Sequence, residues 1–311
     1  MRLKRALAYV ILYYTLAAVP VLSGCNDDDS HSDAPGIEGF SFYVASDMRG
    51  FSHAEYSSSQ YFRGACEAID ALGGGAFMVV SGDLDPPAWT NDAIADVLGP
   101  DYKWYPVIGN HDAEDPADMQ WLREWGSAHA VSFVRTGPAN GTETTYSFDY
   151  GNAHIVVINE FYDGTSDVGA DGDVTDALYE WVELDLQQNG QPMVFVFGHE
   201  PFFSIPDVDN GRVRHLNGCL DKHPENSSRF RSLLRDYGVK AYICGHTHNC
   251  SFTKIDGVWQ IDAGHAQGIG DPGAKSTFLE VSVYQHDAFV DIYRDDGQGG
   301  PYSLEYTIEL D

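Results

Sequence analysis

Five short apolar runs in this 311-residue chain each end, within two residues, in a side chain able to give an electron pair to a cation. Residues 40–46 run into Asp47. Residues 76–81 reach Asp83 through Gly82, and 104–108 reach Asn110-His111-Asp112 through Gly109. Residues 193–197 reach His199 through Gly198, and 239–244 reach His246 and His248 through Gly245. Short apolar runs bounded by turn residues predict strands. In α/β sheets, ligands gather beyond the carboxyl ends of the strands. Groups far apart in sequence are therefore expected to meet in space. The glycines are expected where a sharply turning backbone must come close to whatever these groups hold.

The residue types suit two metal ions. Imidazole serves Zn, Fe and Mn, while carboxylate and amide oxygens serve harder cations. One carboxylate can bridge two ions ~3.5–4 Å apart, a spacing that clamps both the attacking and the leaving oxygen of a phosphoryl displacement. His246 and His248 lie two apart on a tight loop and can face different ions. Each signal alone is weak. An Asp after a strand is usually a turn residue, and His199 before Glu200-Pro201 would pass for a core histidine. Five such signals in order, each at a strand end, make coincidence the poorer explanation.

The rest of the chain reads as one domain over residues 40–311. Residues 59–72 place Phe62, Ala65, Ile69 and Leu72 on one helical face, with Gly73 as the stop. With the runs on either side they form the strand–helix–strand unit of an α/β layer. Further strands are expected at 145–150 and 155–158. Asn226 is the expected N-cap of a helix carrying Phe230, Leu233, Leu234 and Tyr237 and ending at Gly238. From residue 252 the pattern changes. Alternation in 258–262, 278–284, 288–293 and 303–308 predicts antiparallel strands. There is no internal repeat at solenoid or propeller periods.

The first 24 residues read as an address. Met1-Arg2-Leu3-Lys4-Arg5 is basic, residues 6–22 are almost wholly apolar, and Leu22-Ser23-Gly24-Cys25 follows. A basic start, an apolar core and small residues before a cut site predict a secretory signal peptide. Its end resembles a bacterial lipobox, which implies cleavage after Gly24, a lipid on Cys25 and a protein anchored to the cell envelope. Residues 25–39 are acidic and broken by Pro35 and Gly36, as in a flexible linker. The formal net charge is −29, and −32 without the three basic residues of the leader. Such a chain repels polyanions, and nucleic acid, which is bound by Lys and Arg, is not an expected partner. Export permits disulfides. Cys66, Cys219, Cys244 and Cys250 allow three pairings, of which Cys219–Cys250 is the expected one, stapling two loops near the metal ligands.

Gly82-Asp83, Gly109-Asn110-His111-Asp112, Gly198-His199-Glu200-Pro201 and Gly245-His246-Thr247-His248 resemble the ordered motifs of calcineurin-like metallophosphoesterases. Thr145-Tyr146-Ser147-Phe148-Asp149-Tyr150-Gly151-Asn152 resembles a strand pair of the purple acid phosphatase-like branch. The resemblance covers roughly residues 40–284. It implies a four-layer α/β/β/α sandwich with two central mixed sheets and the metals at one end. It implies hydrolysis of a phosphoric mono- or diester by a metal-activated hydroxide attacking in line, on a phosphorylated small molecule or lipid head group. Asp83 would bridge two divalent or trivalent ions, Fe, Mn or Zn. Asn110, His199 and His246 would complete the second position, and Asp47 and His248 would serve the first. His111 would meet the substrate phosphate and assist, stabilising charge or protonating the leaving oxygen.

Two departures bear on the first position. The family's usual Asp-x-His is Asp47-Met48-Arg49 here, and the fourth member of Gly-Asp-x-x-Asp is Pro86. Arg has no lone pair to give. Arg49 is expected either to fork the substrate phosphate, with both ions present, or to stand in for the first ion; the first is favoured because Asp47 and His248 are both retained. Asp85 and Asp112 are the neighbours able to orient His111. His265 and His53 are the spare imidazoles that could reach the site, whereas His31, His129, His154, His215, His223 and His286 are expected to be solvated or structural. The alternative reading is a non-catalytic, metal-binding surface lipoprotein that has kept the fold.

Overall fold

The computed structural model describes residues 39–311. The expected leader, Cys25 and all of the linker but its last residue lie outside the described residues. In chain order the elements are β1 (Phe40–Ala45), α1 (Phe62–Ala71), β2 (Met78–Val80), α2 (Pro87–Leu98), β3 (Trp104–Pro106), α3 (Asn110–Glu114), α4 (Pro116–Ala128), β4 (Arg135–Thr136), β5 (Tyr146–Tyr150), β6 (Ala153–Val157), α5 (Asp176–Gln188), β7 (Met193–Phe197), α6 (Pro224–Asp236), β8 (Ala241–Cys244), β9 (Cys250–Ile255), β10 (Val258–Ala263), β11 (Thr277–Val283), β12 (Ala288–Arg294) and β13 (Ser303–Glu309). They form two sheets, ordered β13-β12-β11-β1-β2-β3 and β4-β5-β6-β7-β8-β10-β9. Both are mixed, as expected. β1, β2 and β3 run parallel in the first, and β6, β7, β8 and β10 in the second. The remaining pairs are antiparallel.

The central parallel strands of the second sheet, β7 and β8, are apolar throughout because both faces are buried. Val156, Ile158, Val194, Val196 and Tyr242 pack under Leu178, Trp181 and Val182 of α5 and Phe230, Leu233 and Leu234 of α6. The alternate residues Ile155, Val157, Phe195, Phe197 and Ile243 face the other way and join Phe42, Val79 and Val281 of the first sheet, with Phe62, Ile69 and Ile94 of α1 and α2. Aromatic rings stitch the two sheets together. Phe42 stacks on Phe77 at 4.8 Å and meets Phe195 edge-on at 5.7 Å, while Phe77 meets Phe148 at 5.4 Å. Burying each such side chain is worth about 1.5–3 kcal/mol.

Three helices begin with proline, Pro87, Pro116 and Pro224, where the missing N–H has no partner to lose. The last of these corrects the expected cap. His223 occupies the N-cap of α6, and Asn226, inside the first turn, donates its amide to Asp173 at 2.8 Å. The expected disulfide is also absent. All four cysteines of the domain are buried free thiols, and the Cys219 sulfur points to the His215 carbonyl oxygen at 3.5 Å. Among the described residues no helix is long and apolar enough to cross a membrane.

His154, expected to be structural, is buried between two carboxylates, with Nδ1 2.6 Å from Asp149 and Nε2 2.8 Å from Asp185. Burial alone would hold the ring neutral, but the two carboxylates outweigh it and raise the pKa. The stabilisation is then full below the unfolded value of about 6.5 and is lost as pH rises through the folded value. We expect the melting temperature to fall across that window, and His154→Gln to flatten the fall. Parallel slopes in the two proteins, by calorimetry, would contradict this.

Candidate metal centre

The carboxyl ends of β1, β2, β3, β7 and β8 emerge at one edge of the sandwich, and their loops interlock. Asp47 N–H donates to the Gly82 carbonyl at 3.0 Å, and Arg49 N–H to that of Asp83 at 3.0 Å. Asp112 is the staple of this edge. Its buried carboxylate accepts the N–H groups of Asp83, Leu84 and Gly109 at 2.8–3.0 Å. It therefore does not orient His111.

Two donor sets result. Asp47, Asp83 and His248 each bring one donor atom within 4.8 Å of the others, all in buried positions. Asn110 Oδ1 lies 3.3 Å from His199 Nε2 and 3.1 Å from His246 Nδ1. Asp83 Oδ1 lies 3.4 Å from the same His199 nitrogen. Asp83 thus belongs to both sets. All six residues expected to be ligands are brought together.

The donor chemistry fits cations. Asp47 Oδ2 accepts from Ser46 Oγ and His246 N–H, but the buried Oδ1 has no hydrogen-bond partner. A buried acceptor left unpaired costs about 1–3 kcal/mol, more if charged. Burial and the Asp83 charge push the Asp47 acid well above the usual carboxylate range. Burial also drives His246 and His248 down, so both rings keep a free lone pair at neutral pH.

The loops are strained to achieve this. Asp47, Asp83, His246 and His248 adopt φ of 55°, 54°, 70° and 55°, the left-handed region that non-glycine residues seldom enter. Gly82 turns with φ of 89°, as expected of a sharp bend, but two of the other strand-end glycines serve a different purpose. At 109 and 245 φ is not positive. A Cβ on Gly109 would strike Asp83, and one on Gly245 would strike Ser46 and Asp47. Glycine is needed there for close approach of the loops to each other.

Outer contacts orient the rings. His199 Nδ1 is 2.8 Å from the Ser81 carbonyl oxygen. His248 Nδ1 is 2.8 Å from Asp271, which Arg212 also holds at 2.9 Å. Glu160 accepts the N–H groups of His199 and Glu200 and the hydroxyl of Tyr242. Burial, with Glu200 nearby, pushes the Glu160 acid up to about 8. Sequence reasoning missed Glu160 and Asp271. Glu160 follows β6 as Asp83 follows β2, so the strand-end rule would have found it; Asp271, in a long loop, carries no such signal.

The remaining residues divide. Arg49 is forked on Asp85, through Nε at 3.1 Å and Nη2 at 3.1 Å, and its Nη1 lies 3.0 Å from His111 Nε2. Its guanidinium makes no hydrogen bond to the carboxylate of Asp47 or of Asp83, so it does not fill the place between them. Asp85 therefore reaches His111 only through Arg49. His265 packs behind His248, with ring centroids 5.7 Å apart, and its Nε2 turns to the Ala274 carbonyl oxygen. His53 caps a turn at Glu55. His215, expected outside the site, lies over His246 with ring centroids 4.1 Å apart. Burial and Arg214 lower its pKa to about 4.

Residues 40–250 match the family described as calcineurin-like phosphoesterase. The chain belongs to that family. As a calcineurin-like phosphoesterase it is a metallophosphoesterase, and its substrate is a phosphorylated compound. Tartrate-resistant acid phosphatase type 5 of Rattus norvegicus is 24% identical over 287 residues, 86% of this chain and 81% of that protein. The fold is shared with a dimetal phosphatase from Danio rerio, at TM-score 0.58 and 13% identity over 87% of this chain and 98% of that one. It is shared equally with GAP50, the anchor in the inner membrane complex of Plasmodium, at TM-score 0.58 and 14% identity over 88% and 89% of the two chains. A calcineurin-like fold alone therefore does not name the substrate.

Proposed function

We propose that this phosphoesterase hydrolyses phosphoric esters with two cations, Mn, Fe or Zn, and that Asp83 would help to hold both. Asp47 and His248 would complete one position, and Asn110, His199 and His246 the other. The observation that carries this reading is the single carboxylate of Asp83 shared by both donor sets. When bound, such ions polarise phosphoryl oxygens and lower the pKa of water. The chain's own groups then handle the phosphate. Guanidinium nitrogens only donate, so His111 Nε2 accepts from Arg49, and the proton of a neutral ring sits on Nδ1, 3.3 Å from Glu114. In this arrangement Nε2 has no proton to give a leaving oxygen. Charge on the phosphate falls to Arg49, three of whose five N–H groups are engaged by Asp85 and His111, leaving two free for oxygen.

The substrate is a phosphorylated small molecule or lipid head group, and the leader with Cys25 anchors the enzyme to the bacterial envelope. Metal-stripped protein is expected to lose activity on a chromogenic phosphate ester and to regain it with manganese or zinc. In the reloaded protein, Arg49→Ala should raise KM roughly tenfold, the worth of a charge-assisted contact, with two ions still bound per chain. Full activity after stripping would end the hydrolytic-metal reading. One ion per wild-type chain, unchanged in metal excess, would mean that Arg49 replaces the first ion.

A further inference from the structure

Beside the metal centre lies a cleft of about 180 Å³, lined among others by Ser52, His53, Tyr56, Trp89, Asp92 and Asp96. The short turn Arg49–Ser52 carries the phosphate-facing arginine at one end and the cleft at the other. Ser52 Oγ donates to the Arg49 carbonyl at 3.0 Å. Thr90 Oγ1 lies 3.2 Å from Ser52 Oγ and 3.1 Å from the carbonyl oxygen of Leu84, the neighbour of Asp83. Hydrogen bonds thus tie the lining of the cleft to the backbone at Arg49 and next to Asp83.

The chemistry of the lining is unlike that of the centre. Trp89 is 37% exposed, and its ring lies against His53 with centroids 4.0 Å apart. Tyr56 adds a third aromatic ring, and Asp92 and Asp96 add two carboxylates. The one full cation of the lining, Arg63, is engaged outside the cleft by Glu67 at 3.0 Å. Aromatic faces beside uncompensated carboxylates repel phosphate and attract a positively charged group, above all a poorly hydrated ammonium.

We propose that this cleft binds an organic ammonium group carried by the alcohol part of the substrate while its phosphate lies at Arg49 and the metal centre. The inference rests on the hydrolase reading above and names its substrate class: phosphoesters of amino alcohols. Water adds to phosphorus, the P–O ester bond breaks, and the amino alcohol leaves with a proton on its oxygen.

The test compares phosphocholine, glycerophosphocholine and β-glycerophosphate as substrates of the metal-loaded full chain, with choline chloride titrated calorimetrically against sodium chloride. The wild type is expected to favour a choline ester, and whether the mono- or the diester is better separates a free phosphate ester from a lipid-derived one. Trp89→Ala should lower the ratio of kcat/KM for the choline ester to that for β-glycerophosphate roughly tenfold, through KM, and should abolish the heat of choline binding. Asp92→Asn should shift the ratio the same way. An unchanged ratio in both variants, with no choline heat in the wild type, overturns the proposal while leaving hydrolysis of β-glycerophosphate intact. Trp89-dependent choline binding by a protein that cleaves none of the three esters upholds the cleft and overturns the hydrolase reading instead.

Discussion

Asp83→Asn should all but abolish hydrolysis, and it should do so by emptying both metal positions rather than one. The substitution keeps the shape and removes the charge. Two roles end and a third is weakened, since an amide oxygen still accepts from an N–H. The carboxylate completes the group with Asp47 and His248, faces His199 at 3.4 Å, and accepts the His111 N–H at 3.0 Å. We expect a fall of at least ~10³-fold in kcat/KM, since a single preorganised electrostatic contact is already worth about 10²–10³-fold. Elemental analysis should give fewer than one ion per chain. The control is His248→Ala, which touches one donor set only and should leave one ion bound. Retention of two ions in Asp83→Asn would show that Asp83 does not bridge.

The second large effect is on stability and lies behind the site. Arg294 is fully buried, with Nη2 2.9 Å from Asp207 and Nη1 3.0 Å from Asp209. Asp207 in turn accepts the Cys250 N–H at 3.0 Å, joining β9 to the loop that carries Arg212 and Arg214. Arg294→Met keeps the volume but leaves a buried carboxylate without its cation. Removing one partner of a buried ion pair costs about 3–5 kcal/mol, or on the order of 10 °C in melting temperature for a domain this size. Thermal unfolding that stays within about 2 °C of the wild type would mean that the pair is stabilised by little more than its packing.

The strand ends were legible because two independent codes coincide there. An apolar run fixes the strand, and the first polar residue past it has no place in the core, so it must serve the edge. That reasoning reached Asp47, Asp83, Asn110, His199, His246 and His248. It did not reach Asp271 or His215, because their loops have no period to read and their positions follow from tertiary contacts with Arg212 and His246. Helix α5 was missed for a related reason. Its buried stripe contains Asp185, which reads as polar until Ser147, Arg135 and His154 are seen around its carboxylate. Arg49 showed its importance in the sequence but not its partner. A salt bridge to Asp85, 36 residues away, follows from the way the β1 and β2 loops zip together.

The six donors are divided evenly: Asp47, Asp83 and Asn110 follow strands of one sheet, and His199, His246 and His248 follow strands of the other. Donor spacing is therefore set by how far one sheet has slid along the other, and the gauge of that slide is the stack of Phe42, Phe77, Phe148 and Phe195 between them. Close-packed interiors yield little to compression, so the rings act as a vernier whose two scales align in one position. A ring exchanged for a smaller residue there, far from any ligand, changes the distance across which the cations must be shared. Selection for phosphate chemistry in such a molecule reaches into the aromatic core, and mutations that retune metal preference can arise where no polar atom is in sight.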